Sequence, residues 1–356
     1  MCHKMNYQVT LAMPVYNVSG YIERSLLSAL NQTFASIEFL IIDDKGTDNS
    51  IEIVERIMRE HPRGKDIRII DHMVNRGTGA TKNSAIKEAT GEYLYFMDSD
   101  DVITPDCIDI LYQEMKKNPV DFVAASFQKV SFDGDMLSAN QFQYITSKES
   151  YALAKYRKGQ ERSFYIMTWN KLYDLSFLKR NNITCIPHSL NEDVWFSFQL
   201  YYYTSSFTFL DAITYNWYVR NDSTTNVTKA TGLTVQKVNT YLEVLDYEKK
   251  AICLNSIATD CPYIIDDIIE FCLRLSEGVL RSNLSETIRK ELIMKITMID
   301  EIKSKYPIRW ENKVAFYLFG IKNSSCCFIY LSFLHNKNRI QYAILHPLIT
   351  LRKIVK

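Results

Sequence analysis

The 356-residue chain lacks most of the marks from which a function is usually read. Its charges nearly cancel, with 42 Lys and Arg against 41 Asp and Glu, a formal +1, so the balance gives no argument for nucleic acid as a partner. The eight cysteines (Cys2, Cys107, Cys185, Cys253, Cys261, Cys272, Cys326 and Cys327) are scattered, with no zinc-ribbon spacing and no disulfide framework. A reducing, cytoplasmic compartment is the plain inference. No Gly-x-x-x-x-Gly-Lys-Ser/Thr occurs, which excludes a P-loop nucleotide hydrolase. Gly77-Thr78-Gly79 is only a fragment of a dinucleotide fingerprint: it lacks the third glycine and follows the third expected strand, not the first. The N-terminus runs into a strand at Gln8 with no secretory leader before it. The apolar, aromatic stretch Val314 to Leu334 is broken by Lys322-Asn323-Ser324-Ser325, and a spanning helix needs about 20 apolar residues without such a break.

What is present is an ordinary globular composition, 47% hydrophobic and 23% charged, at a length that predicts two or three domains. The first third alternates short apolar runs with helical spacings. Strands are expected at Val9–Pro14, Ile37–Ile42, Ile67–Ile70, Tyr93–Met97 and Phe122–Ala125. Helices are expected between them, around Tyr21–Gln32, Ile51–Met58, Ala80–Ala89 and Pro105–Lys117. Such alternation implies right-handed crossovers and a mainly parallel sheet flanked by helices, a Rossmann-like α/β fold. The polar loops then share one sheet edge: Tyr16 and Asn17, Asp43 and Asp44, Asn75 to Gly79, and Asp98 to Asp101. A nucleotide site at that edge follows from the topology.

The chain is organised around Glu92-Tyr93-Leu94-Tyr95-Phe96-Met97-Asp98-Ser99-Asp100-Asp101. A buried strand there delivers three carboxylates at its C-terminal end. Asp98-x-Asp100 suits a hard divalent cation, Mn²⁺ or Mg²⁺, which takes a few carboxylates and completes its shell with water and phosphate oxygens. The bland alternative is a polar turn capping the helix that follows.

After residue 126 the rhythm changes. Phe127 to Phe132 with Asp133-Gly134-Asp135 reads as strand and turn, Tyr151 to Lys158 as a short helix, and Leu175 to Arg180 as an amphipathic piece. Glu192 and Asp193 open a helix running to Tyr203, where the positive end of the helix dipole favours a carboxylate. Phe207–Leu210 and Ile213–Tyr218 read as two strands, followed by a polar loop from Arg220. From residue 232 the pattern is helical to the end. The domains expected are 1–125 and 126–230, as two halves of one catalytic unit, and 231–356 as a helical C-terminal extension.

Taken together and in order, these motifs resemble a family 2 glycosyltransferase of the GT-A fold, over about residues 7–226. The carrying residues are Met13-Pro14-Val15-Tyr16-Asn17, Ser28-x-x-x-Gln32-Thr33, Ile42-Asp43-Asp44 with Thr47-Asp48-Asn49-Ser50, and Asn75-x-Gly77 with Lys82-Asn83. Gly91-Glu92-Tyr93, Asp98-x-Asp100, Trp169-Asn170-Lys171-Leu172-Tyr173 and Asn191-Glu192-Asp193 complete the set. The resemblance implies transfer of a sugar from a nucleotide sugar, with a UDP sugar favoured, to a hydroxyl of a glycan or lipid-linked acceptor, with inversion. It places Pro14, Tyr16 and Asn17 at base and ribose, and Asp44 beside Asp43 at the uracil ring. Asn75 and Lys82 fall at nucleotide or phosphate, and Asp98 and Asp100 at a metal-bound diphosphate. Asp193 becomes the catalytic base, Glu192 its support, and Trp169, Lys171 and Arg220 the acceptor side. Trp169 reads equally as a core anchor. Lys82 stands where the family usually has Arg, and Lys45-Gly46 where it usually has Gly-Ser.

Residues 303–356 are rich in Lys and Arg, with Glu311 the one acid, and carry Trp310, Phe316, Tyr317, Phe319 and Phe328. That mixture suits an interfacial helix on the inner face of an anionic membrane; a helical cap or a contact between two copies is the alternative. Two other functions were open at this level. A nucleotidylyltransferase predicts a glycine-rich loop after the first strand, which Pro14-Val15-Tyr16-Asn17 is not. A silent sugar-binding or scaffold subunit predicts loss of Asp98, Asp100 or Asp193, and all three are present.

Overall fold

A computed structural model of the chain describes residues 7–158, 167–187, 191–219, 233–254 and 263–297. The chain divides into two compact units, Met1–Ser223 and Thr224–Lys356.

The first unit is built on one ten-stranded sheet. One side of it is β3 (Ile67–Asp71), β2 (Ile37–Asp43), β1 (Val9–Val15) and β4 (Tyr93–Phe96), in that order and all parallel. All seven residues of β2 are buried, as expected for a parallel strand covered on both faces. One face of the sheet presents Leu11, Met13, Phe39, Ile41, Tyr95 and Met97 to a core shared with Ile22 and Leu26 of α1 (Ile22–Leu30), Val54 and Ile57 of α2 (Ser50–Glu60), and Leu111 of α4 (Cys107–Lys117). α3 (Thr78–Glu88) packs against β1 and β2.

Beyond β4 lie strands that sequence periodicity did not resolve. β9 (Lys171–Asp174) inserts antiparallel between β4 and β6 (Phe122–Val130), and at four residues it is too short to show a period. β6 continues to β7 (Met136–Asn140) through the expected turn at Gly134, and β8 (Ile145–Lys148) lies antiparallel to β10. The two strands expected near 207–218 are one, β10 (Ser206–Tyr218), running parallel to β6 with register shifts between Leu210 and Tyr215. Those bulges interrupt the alternation without ending the strand. β5 (Val102–Ile103) pairs with its far end. β6 crosses the seam expected at residue 125, so both halves share one sheet. The short helices α5 (Ala152–Lys158) and α6 (Leu175–Arg180) and the longer α7 (Glu192–Tyr203) complete the unit.

Two parts of the family-like motifs prove to be fasteners. Gln32 donates through Nε2 to the Thr104 carbonyl at 2.7 Å and accepts from the Ile108 amide at 3.0 Å, bolting the end of α1 to the segment after Asp98–Asp101. Asp48 accepts from the Ser19 amide at 2.8 Å and from the Ser50 hydroxyl at 2.6 Å, and Ser50 Oγ accepts from the Val18 amide. These bonds stitch the loop after β1 to the start of α2. Arg63 is a third fastener, its guanidinium donating to the carbonyls of Leu30, Gln32, Phe34 and Ala35. Replacing a largely buried charged donor leaves carbonyls unpaired, so Arg63→Met should cost about 2 kcal/mol. The check is a lower urea midpoint at unchanged slope for the transition of the first unit.

The second unit contains α8 (Val235–Leu254), α9 (Tyr263–Arg281) and α10 (Glu286–Thr297), packed together through residues such as Leu245, Ile265, Cys272 and Ile293. No helix among the described residues is long and apolar enough to cross a membrane. Arg220 and the basic segment 303–356 lie outside the described residues.

Candidate active site

Register alone assembles the site. Val15 pairs with Asp43, Asp43 with Asp71, and Ala12 with Phe96, so β1, β2, β3 and β4 all end at one edge and Asp98 follows two residues after Phe96. The loop Asp98–Asp101 is held from several sides. Tyr215 on β10 accepts from the Asp98 amide at 3.2 Å and donates to Asp101 Oδ2 at 2.8 Å. The Tyr218 amide donates to Asp101 Oδ1 at 2.8 Å, and Arg24, lying over the Tyr218 ring, donates to the Asp100 carbonyl at 3.2 Å. Asp101 is therefore the buried anchor of the turn, while Asp98 and Asp100 are partly open. Carboxylate oxygens of all three lie within 4.8 Å of one another. Hard oxygen donors this close, two of them accessible, fit Mn²⁺ or Mg²⁺. Burial pushes the Asp98 carboxyl up to about 7; Lys82 opposes this, and Asp100, Asp193 and Glu192 add to it.

The second half of the site comes from α7. Phe196, one turn into that helix, meets Phe96 of β4 and Tyr173 of β9 edge-on, with ring centroids 6.3 and 5.8 Å apart. That contact sets the helix start beside the Asp98 loop. Lys82, buried on α3, donates to Asp193 Oδ1 at 2.6 Å and to Glu192 Oε1 at 3.1 Å. Burial would lower the Lys82 ammonium, but the two carboxylates hold it well above its ordinary value. Burial raises Glu192, with Lys82 opposing. The Asp193 side chain keeps 26% exposure against 11% for Glu192, so of the two it is Asp193 that an incoming hydroxyl can reach.

Lys171 lies in the same cluster. Its ammonium donates to the Met167 carbonyl, and burial pulls it down to about 7, with nearby Asp193 opposing. Trp169 is packed as a core anchor: it is 5% exposed, its ring stacked on Tyr215 at 4.3 Å and edge-on to Phe127 at 4.9 Å.

Among the residues expected to meet a nucleotide, Tyr16 and Asn17 are exposed at the end of β1, with Pro14 partly so, and Asn75 is exposed in the loop before α3. Asn17 has φ +50° and its Oδ1 accepts from the Thr47 amide at 2.7 Å. Gly46 is required beside it, since a Cβ there would lie 2.8 Å from the Asn17 amide nitrogen. Lys45 bridges Asp43 at 3.2 Å and Asp71 at 2.7 Å across the edge. Asp44, only 2% exposed, accepts from the amides of Arg76 and Gly77 and from His72 Nδ1 at 2.7 Å. It fixes the loop that opens α3, while His72 Nε2 bonds Ser84 Oγ on that helix at 2.7 Å.

No sequence pattern singles out His72 or Tyr215, and Asn170 is named only as a member of the Trp169–Tyr173 motif, without a role. Asn170 has φ +55°, accepts from Tyr95 and Thr214, and donates to the carbonyls of Ala125 and Ser126, which explains an asparagine between Trp169 and Lys171. Its place between two motif residues was the one available signal. His72 and Tyr215 act through hydroxyl and ring-nitrogen bonds to residues far along the chain, which spacing does not encode.

The comparisons bear on this site. Residues 10–180 match the family model described as glycosyl transferase family 2. EpsH of Bacillus subtilis (strain 168) is 32% identical over 226 residues, covering 60% of this chain and 62% of that protein. A chondroitin synthase of Escherichia coli is 32% identical over 163 residues, 46% of this chain and 23% of the relative. The match thus spans less than two thirds of either relative's length. The crystal structure of S. aureus TarS 1-349 in complex with UDP-GlcNAc superposes with a TM-score of 0.55 at 19% identity, covering 84% of this chain and 74% of that one. At that identity the likeness establishes the GT-A fold. Residues 10–180, whose sheet edge carries Asp43, Asp44, Asp98 and Asp100, are thus the part of the chain that is similar to the family 2 glycosyltransferases.

Proposed function

We propose that the protein is an inverting glycosyltransferase that moves a sugar from a nucleotide sugar, preferentially a UDP sugar, to a hydroxyl of a glycan or lipid-linked acceptor. The observation that carries this reading is the gathering of two functions in one place. The half-buried carboxylate Asp193 and the partly open pair Asp98 and Asp100 lie in one electrostatic cluster, with Lys82 bonded to Asp193 and acting on Asp98 through its charge. Nucleotide base and ribose lie along Pro14, Tyr16, Asn17 and the Asp43–Asp44 edge, with Asn75 flanking. Asp193 takes the acceptor proton as the hydroxyl attacks in line. A Mn²⁺ or Mg²⁺ held by Asp98 and Asp100 would offset charge on the departing nucleoside diphosphate. Glu192 supports the base, and Lys171 lines the acceptor side beside the packed Trp169; Arg220, expected on the same side, lies outside the described residues. A likeness to a chondroitin synthase supports a surface polysaccharide or glycolipid as product. The basic, aromatic segment 303–356 supports a cytoplasmic protein held at the inner face of the membrane, near a lipid-linked acceptor.

The test is a donor panel. Purified protein with Mn²⁺ or Mg²⁺ is given UDP, GDP and dTDP sugars, release of nucleoside diphosphate is followed, and nucleotide binding is measured by calorimetry. One donor should give slow release that EDTA lowers by at least about 10²-fold. Metal-dependent nucleotide binding without release indicates a missing acceptor. Absence of both release and binding across the panel would reject the transferase reading in favour of a silent subunit.

A further inference from the structure

We propose that Lys82 is a positioning residue for the Glu192–Asp193 carboxylate pair, and not a contact to the donor nucleotide. The inference rests on the reading of Asp193 as the base.

The geometry is specific. The lysine Nζ lies 2.6 Å from Asp193 Oδ1 and 3.1 Å from Glu192 Oε1, and its side chain is 3% exposed. It is thus enclosed between α3 and the first turn of α7, with both carboxylates as partners. A buried ammonium bonded to two carboxylates is held in place, because moving it would strand all three charges. Two further bonds show that α3 is shaped for this docking. Asn83, next to Lys82, donates to the Cys185 carbonyl at 2.9 Å and accepts from the Cys185 amide at 2.7 Å. Gly79, one turn earlier on the same face, lets the backbone at Ile186 come so close that a Cβ would sit 2.1 Å from its carbonyl oxygen. Gly79, Lys82 and Asn83 therefore form one surface at spacings of three and four. That surface receives the segment 183–187 on one side and the start of α7 on the other.

The start of α3 is fixed in turn by Asp44, which accepts from the Arg76 and Gly77 amides. The nucleotide-side loop and the base consequently belong to one rigid piece, with Lys82 as its pin. Other titratable groups acting on the cluster through their charge are Lys171 with Asp193, and Cys185 and Asp98 with Lys82. Lys82 holds Oδ1 of Asp193 in place, while the Asp193 side chain keeps 26% exposure.

The experiment compares Lys82→Met, Lys82→Arg and Asp193→Asn in the full chain with the wild type. Four quantities are read: kcat and KM for the active donor, the pH profile of kcat/KM, the Kd for UDP with Mn²⁺, and a double-mutant cycle of urea midpoints between Lys82→Met and Asp193→Asn. Lys82→Met should lower kcat by about 10²-fold while Kd for UDP stays within about 2-fold. The acidic limb of its pH profile should move to higher pH, since an isolated carboxylate holds its proton more tightly. Lys82→Arg should recover most of kcat, and the stability cycle should be non-additive. A raised Kd for UDP in Lys82→Met, with kcat and the acidic limb unmoved, would overturn the proposal and make Lys82 a nucleotide contact. An additive cycle would also overturn it. If Asp193→Asn keeps wild-type turnover, the base assignment fails on its own, and the cycle still reports whether Lys82 holds the pair. The UDP and urea arms require no turnover, so they decide even where the acceptor is missing.

Discussion

Asp193→Asn should abolish sugar transfer, lowering kcat by about 10³-fold, while UDP binding with Mn²⁺ stays within about 2-fold of wild type. The substitution keeps the size of the side chain but removes the carboxylate that accepts the proton. It acts at the first turn of α7. Asp193 is also the more exposed of the two carboxylates on Lys82, so Glu192 cannot take over the role without leaving its buried place. Glu192→Gln should accordingly cost less, by about an order of magnitude, because it loosens the pin and leaves the base present. Steady-state release of nucleoside diphosphate with acceptor present, read beside calorimetry, checks both. An Asp193→Asn enzyme with more than a tenth of wild-type turnover would refute the assignment, and equal losses in both variants would mean that the pair acts as one unit.

The parallel half of the sheet was legible because parallel strands are buried on both faces and therefore read as continuous apolar runs. Val9–Val15, Ile37–Asp43 and Tyr93–Phe96 all have that form. Once those strands and their crossovers are placed, the shared edge follows, and with it the meeting of Asn17, Asp43 and Asp98. The acceptor half was less legible. β9 is four residues long and runs against its neighbours, so Trp169-Asn170-Lys171 could be named as a motif but not placed on a strand. β10 looked like two strands because its bulges break the alternation.

Within the site, residue types were easier to read than their duties. Asp44, which the resemblance puts at the base ring, also holds the amides of the α3 loop; Lys82, which it puts at phosphate, is bonded to the two acids of α7; and Trp169, readable as acceptor contact or core anchor, is stacked in the core. Each is a polar or aromatic residue whose partner comes from a distant segment. Lys82 and Asp193 are 111 residues apart, and no local pattern records that they touch. Lys45, which with Gly46 stands where the family usually has Gly-Ser, adopts φ +53° and uses its charge to bridge two acids.

Glu38→Gln should destabilise the first unit by about 3 kcal/mol at neutral pH, more than any single change at the catalytic edge. Glu38 is an acid inside the apolar run of β2, 3% exposed, at the end of the sheet opposite the site. Its Oε2 accepts from the Thr10 hydroxyl at 2.6 Å, the Thr90 hydroxyl at 2.8 Å and the Thr90 amide at 3.0 Å. Its Oε1 pairs with the Arg68 guanidinium at 2.7 Å, and Thr10 Oγ1 accepts from the Gly91 amide at 2.9 Å. One carboxylate thus ties together β1, β2, β3 and the segment leading into β4. Burial alone would raise its pKa, but the bonds from Thr10, Thr90 and Arg68 outweigh burial and hold it below the ordinary value. A carboxyl whose folded pKa lies below its unfolded one adds stability above the unfolded value, and loses it as pH falls through the folded value. The gap between wild type and Glu38→Gln should therefore be full at neutral pH and shrink on acidification to about pH 3. Urea midpoints of the two proteins across that range measure it. A gap that stayed constant with pH would assign the loss to packing of the amide and not to the charge. Transfer kinetics should be unchanged in Glu38→Gln at temperatures where it stays folded, since the parallel strands carry their binding groups at one end and this acid fastens the other.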